Sequence, residues 1–426
     1  MFKGALLGAA SAASVQRQGG FAQQASPASG ATPASQSEQY LAVADPAAAM
    51  LWVYAVSTNE LVAQLEDVSV NAHAGFIPLP DGQILFLDDL GKRLIGIEVH
   101  GDHLHTSEAP IPGTSYSHVA IDSDHAHYAA VGSDDPDSPI TLVNLETWET
   151  TAVPVAEPGE VGLFLTHDHL FHRNNSLNQI EAYAMDSLLA GSVEILSTVP
   201  IGVGGHGESI SMSGDTLYTA TDEGIDVVAW DGSALTYLTT YAWDSADRSG
   251  GRGYFQRLSF DDSIVVSYTA DRSAPATEWT TWTNDALLVD TDEGVTRRIE
   301  LGTGYVYRFG LAADRALFYR IGGDSDEAIV LDLPSGTISQ RIPLEPMSNG
   351  PAAGEDIYAV NQYRAVAMTT DGALGFVTQG GDGMVAVIDL ATGTIASTIE
   401  TGAALDGGGY LGLFGSSASF SDTIGR

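Results

Sequence analysis

The chain has 426 residues, 55 acidic against 17 basic, and a formal charge of −38. Such a surface repels polyphosphate backbones and anionic lipid, which excludes nucleic acid as a partner. It attracts cations without specifying one, since solubility alone accounts for a charge of this sign. Cysteine is absent, which removes disulfides, thiolate nucleophiles, iron–sulfur clusters and Cys-based metal sites, so any metal must be held by His and carboxylates.

The N-terminus reads Met1, Phe2, Lys3 and then GALLGAASAASV, the pattern of a short export signal with one positive charge and Ala-rich cleavage options. Residues 1–15 are therefore expected to be a signal remnant, and the protein to be exported, periplasmic or extracellular. Residues 16–39 are rich in Gln, Ser, Ala and Pro and read as a disordered tether. No later stretch is apolar long enough to span a bilayer, so membrane insertion is not expected.

From Tyr40 onward, short Val-, Ile-, Thr- and Tyr-rich runs repeat with turn signals. An Asp-containing turn recurs at Asp81, Asp124, Asp168, Asp215, Asp262, Asp314 and Asp371, separated by 43, 44, 47, 47, 52 and 57 residues. That period predicts the four-stranded blades of an all-β β-propeller. An insertion interrupts the pattern around Ala274 to Asn284. The last unit shows its four strands plainly, as RAVAMTT, LGFVTQ, MVAVIDL and TIASTIE, and has the look of a YVTN-type blade. Three strands near the N-terminus (YLAVAD, LWVYAV, LVAQLE) lack an innermost partner, and YLGLFG near the C-terminus lacks a blade. Joining them hides the sheet edges and gives eight blades with a composite closing blade, seven being the alternative. Residues 40–416 are read as one propeller domain, 417–426 as a tail, and the closed ring as a monomer.

All eleven histidines fall between His73 and His206. Three pairs are spaced His-x-His, at His103 and His105, His125 and His127, and His167 and His169. Residues two apart on a strand share a face, so each pair can aim two imidazoles at one ion. His73, His118, Glu160 and His206 stand six to nine residues before successive turn aspartates. That places them at the starts of first strands, which line a propeller's channel, and offers three imidazoles and a carboxylate at one mouth. The bland alternative, for His73 above all, is a channel histidine bonded to water and backbone. His206 sits in GGHGES, where glycines let the backbone turn tightly. The segment HGDHLH, with His100, Asp102, His103 and His105, is predicted to turn between the third and fourth strands of the first full blade. That is the opposite face from the first-strand starts, so either the chain folds inward here or there are two sites, the second then joined by His125, His127, His167, His169 and His172.

Four islands together, HGDHLH, the P-x-x-x-x-x-H segment ending at His118, HGESISMSGDTLY from His206 and the closing ETGAALDGGGYLGLFG, resemble the periplasmic zinc metallochaperones of Azt-type ABC zinc import systems. The resemblance runs in order from about Tyr40 to Gly415. It implies a propeller that binds zinc and passes it to the solute-binding protein of the importer, and it assigns His103, His105, His118 and His206 as the retained histidines. Three departures stand out: Glu160-Val161 where the family tends to have His-Gly, Gly409-Tyr410 where it has a further histidine, and no histidine before Tyr40.

Three functions follow from these readings. The first is a carrier holding zinc through His103, His105, His118 and His206, with His73, His100, Glu160, His167 and His169 as further ligands. Copper is the alternative metal, since imidazole sites favour Cu(II) in the usual affinity order. The second is a zinc-dependent hydrolase or lactonase with Glu160 or Asp102 as general base, although no G-x-S-x-G, H-E-x-x-H or phosphate loop supports a particular reaction. The third is a metal-free interaction scaffold, because propellers carry unrelated functions.

Overall fold

The computed structural model describes residues 38–415 apart from 114–115, 123–125, 134, 136–137, 156–161, 245–250 and 360–363. The expected signal, the tether up to residue 37 and the tail from 416 thus lie outside the described residues. The described strands form eight four-stranded antiparallel sheets. Seven are continuous in sequence. In the first blade the strands are Phe76–Pro78, Ile84–Asp88, Arg93–His100 and His103–Pro110. The eighth is composite, as expected. Its innermost strand is Tyr410–Gly415, which pairs with Gln39–Asp45, and Met50–Ala55 and Leu61–Glu66 follow outward.

The residue pattern of each strand follows from its place in the blade. Middle strands are covered on both faces by neighbouring blades, so they are largely apolar; Ile84–Asp88 is buried at every position, four apolar residues and then Asp88. Outermost strands have one free edge and alternate, as in Leu61–Glu66. Eight of the clusters of buried apolar side chains are each shared by two adjacent blades. Ile77, Leu85 and Leu94 of the first blade meet Ile121, Ala129 and Val143 of the second. The circuit ends where Leu41, Val43 and Trp52 pack on Phe376, Val385 and Ile399 of the seventh blade, and where Ala42 and Leu51 pack on Phe76 and Ile84 of the first. Eight interfaces require eight blades, and the seven-blade alternative falls.

Two of the turn aspartates, in the first and seventh blades, close their turns through local hydrogen bonds. Oδ1 of Asp81 accepts the amide of Gln83 at 3.0 Å, and Oδ1 of Asp371 accepts that of Ala373 at 3.0 Å. These are Asx turns, in which the side chain replaces a backbone acceptor. The insertion in the fifth blade forms the 3-10 turn Ala276–Thr281, and its Trp279 and Trp282 pack with Tyr305, Tyr319 and Ile357 in a separate cluster. No helix among the described residues is long and apolar enough to cross a membrane.

Candidate metal centre

Three imidazoles converge where the innermost strands begin. Ring centroids lie 6.5 Å apart for His73 and His118, 6.4 Å for His73 and His206, and 6.0 Å for His118 and His206. Each comes from a different blade. His73 precedes the strand Phe76–Pro78, His118 lies within Tyr116–Ile121, and His206 precedes Glu208–Ile210. The convergence expected from the register therefore holds for these three. Glu160, the fourth member, and His125 lie outside the described residues.

The backbone around each ring has an identifiable cause. Oδ1 of Asn71 accepts the amides of His73 and Ala74, at 2.9 and 2.8 Å, and turns the chain so that His73 stands exposed at the channel mouth. Gly204 and Gly207 flank His206 at φ 69° and 81°, a region costly for residues with a Cβ.

Two of the rings are oriented from behind. Nδ1 of His206 donates to the carbonyl of Tyr254 at 3.1 Å, and Nδ1 of His118 lies 3.0 Å from Oε2 of Glu208. In each case Nε2 is the nitrogen left to act as ligand, the outer-shell arrangement that orients metal-binding histidines. Glu208 is itself buried, and its other oxygen pairs with the buried guanidinium of Arg173. Burial opposes ionisation of Glu208, but Arg173 and then His118 outweigh it and hold the carboxyl below the usual range. Gly162 and Gly205 make room for this pair. A Cβ on Gly162 would sit 2.7 Å from Cζ of Arg173 and closer still to Oε1 of Glu208, and one on Gly205 would sit 2.6 Å from Cδ of Arg173. Glu208 was legible only as a carboxylate two residues from His206.

The donor set suits zinc. An ion bound through Nε2 at about 2.0–2.1 Å brings imidazole centroids to roughly 5 Å of one another, so the observed rings need to close by only about an ångström.

The other histidines divide among different environments. His103 and His105 do not join His118 and His206. They lie on His103–Pro110, the outermost strand of the first blade, after a two-residue turn in which Gly101 has φ 64°. There the His100 ring is 6.2 Å from that of His103 and 5.8 Å from that of His105, all three exposed. HGDHLH thus makes the predicted third-to-fourth-strand turn. The pair at His167 and His169 does not act as a unit, because His167 sits in a turn, where strand alternation does not apply. His167 lies with His127 and Asp122, one ligand atom of each falling within 4.8 Å of the others, a second group able to hold a cation. His169 packs instead on Trp230 at 4.9 Å, and burial lowers its basicity against the pull of Asp168. His172 belongs to neither site. It is fully buried, with Nδ1 3.2 Å from Oε2 of Glu181.

The three channel imidazoles line a cavity of about 820 Å3, open mouth included, together with Phe76, Tyr254, Phe255, Arg257, Tyr268 and Arg308 among others. Fold and site together define an eight-bladed β-propeller with an imidazole-lined channel mouth. No protein-family model and no curated protein sequence matches the chain. Among solved structures it is similar to apo AztD from Citrobacter koseri, with 14% identity and a TM-score of 0.66 over 90% of this chain and 100% of that one. A second structure of Citrobacter koseri AztD gives 16% identity and a TM-score of 0.64 over 90% and 99%. Dihydro-heme d1 dehydrogenase NirN in complex with DHE gives 13% identity and 0.60 over 90% and 76%. At these identities the likeness is one of fold, and it falls on the structure of the group that the sequence resembles.

Proposed function

We propose that the protein is an exported zinc carrier whose cargo is held by His73, His118 and His206 and handed to the solute-binding protein of an ABC metal importer. The observation that carries this reading is the meeting of three imidazoles from three blades, two of them fixed through Nδ1 by Tyr254 and Glu208. Three protein ligands leave a fourth position on the ion for Glu160 or for a ligand of the receiving partner, and neutral imidazoles release a cation when a competing donor arrives. The likeness in fold to AztD and the family resemblance of the sequence support the same assignment. A carrier is preferred to a hydrolase because Glu208, the carboxylate behind the imidazoles, has both oxygens engaged by Arg173 and His118. It anchors a ligand and is not poised to take a proton from water. The group of Asp122, His127 and His167 supplies a second, more exposed place for a cation.

Elemental analysis of protein purified without chelator tests the proposal. Zinc near one equivalent is expected, lost in His118→Ala with His206→Ala and retained in His103→Ala with His105→Ala. Absence of zinc, and no uptake at micromolar concentration, would end the carrier reading; copper in its place would change the cargo.

A further inference from the structure

We infer that the channel cavity also binds an organic anion, a small carboxylate with an aromatic or apolar body, on the wall formed by Arg257, Tyr268 and Arg308. The inference goes beyond the zinc reading and rests on different residues. In a chain with 55 acidic and 17 basic residues, the lining of this cavity includes two arginines, Arg257 and Arg308, and no Asp or Glu among the described residues. In a dominantly acidic protein, the described lining of this one concave surface thus carries cationic and no acidic side chains.

Further guanidinium groups stand behind this wall. Cζ of Arg252 lies 4.6 Å from the centroid of Tyr254, and Cζ of Arg272 lies 5.6 Å from the same ring and 5.4 Å from that of Tyr305. The rings stack on both cations, and Arg252 is also paired with Asp222. One arm of Arg308 donates to the carbonyl of Ala72, next to His73, but a guanidinium carries five N–H donors in a planar fork suited to a carboxylate.

A second, independent observation points to the same occupant. Tyr268 lines the cavity, is fully buried, and its hydroxyl has no hydrogen-bond partner among the described residues. Burial pushes that phenol up, so it remains a donor. Buried donors are nearly always paired, and an acceptor entering the cavity would pair this one. Phe76, Phe255 and Phe309 line the same space, and the edges and faces of their rings suit an apolar body better than a hydrated inorganic ion.

The test uses chelator-stripped full-length protein, so it stands apart from zinc occupancy, which is measured separately on the same preparation. Benzoate, neutral benzamide and cationic benzylammonium are titrated by calorimetry and by thermal shift. Benzoate is expected to bind with a Kd of about 1 mM or tighter, benzamide about tenfold more weakly, and benzylammonium not at all. Arg257→Gln and Arg308→Gln should each weaken benzoate about tenfold or more, and the near-isosteric Tyr268→Phe, which keeps the core filled, about three- to tenfold. His118→Ala with His206→Ala should leave benzoate binding intact while abolishing zinc. Equal affinity for benzoate and benzamide, no binding of benzoate up to about 20 mM, or benzoate binding unchanged in both Arg308→Gln and Tyr268→Phe overturns the inference. Failure of the wild-type protein to bind zinc, with benzoate binding preserved, overturns only the carrier reading.

Discussion

Nδ1 of His118 lies 3.0 Å from Oε2 of Glu208, and through that contact the third and fourth blades reach into the second. The carboxylate is held by Arg173 on one oxygen and presents the other to the imidazole, so the ring's orientation depends on a buried residue behind it. Glu208→Gln removes the charge with little change in shape. Zinc affinity is expected to fall about 10- to 100-fold, as for other outer-shell partners of metal-bound histidines, read by competition with a chromophoric chelator. Unchanged affinity would show that His118 is oriented by something else. Glu208→Ala should in addition destabilise the fold by about 3–5 kcal/mol, because it strands the buried Arg173.

Gly162 tests the same pair without touching a charge. Its missing side chain is replaced in space by the ends of Arg173 and Glu208, so Gly162→Ala must push both aside. Overpacking of this kind costs about 1–3 kcal/mol, and the displaced Glu208 should lower zinc affinity as well. Denaturant unfolding and chelator competition on one preparation separate the two effects, and an Ala variant with wild-type values in both measurements refutes the coupling.

The buried pair of His172 and Glu181 predicts an acid limb of stability. Burial opposes ionisation of Glu181, but hydrogen bonds from His172, Tyr183 and Gln179 hold its carboxyl at about 2, below the ordinary value of 4.5. A carboxyl with a depressed pKa stabilises the folded state above its unfolded pKa and loses that contribution as the pH falls. Up to roughly 3 kcal/mol should therefore be present above about pH 4.5 and disappear toward pH 2. Unfolding free energies of wild type and Glu181→Gln, compared from about one and a half units above to about one and a half units below pH 4.5, should converge as the pH drops. Parallel curves would mean that Glu181 carries no such linkage.

The exposed histidines should behave independently of the channel. His127→Ala with His167→Ala is expected to remove a weaker second equivalent of Co(II), seen as loss of visible absorption at high Co(II), while the first equivalent stays. Loss of the first equivalent in this variant would relocate the principal site to Asp122, His127 and His167.

Much of the ring was legible in the sequence because its marker has a local cause. Asp81 and Asp371 bond the amide two residues on, wherever the blade stands in the chain, and a local interaction leaves a periodic trace. The convergence of His73, His118 and His206 was legible through the same register. The spacing of His167 and His169 misled, because two-residue alternation describes strands and His167 occupies a turn. Arg257, Tyr268 and Arg308 left no trace, since they reach the cavity from blades without a histidine and only the closed circle brings them to the same cavity as the imidazoles. Glu208 was hidden for a related reason: its partner Arg173 is distant in sequence and meets it only between blades.

The pairing of Gln39–Asp45 with Tyr410–Gly415 also sets a constraint in time. While the chain is being synthesised, three strands of the closing blade exist without the one that must sit innermost. Until it arrives, the closing blade lacks Leu413, which packs with Leu41, Val43 and the seventh-blade residues Phe376 and Val385 in one cluster. Such long-range pairing makes folding slow and leaves apolar edges exposed on the way. A chain cut just before Tyr410 should therefore retain most of its blades yet behave as an open, sticky horseshoe, prone to self-association and to proteolysis at its gap.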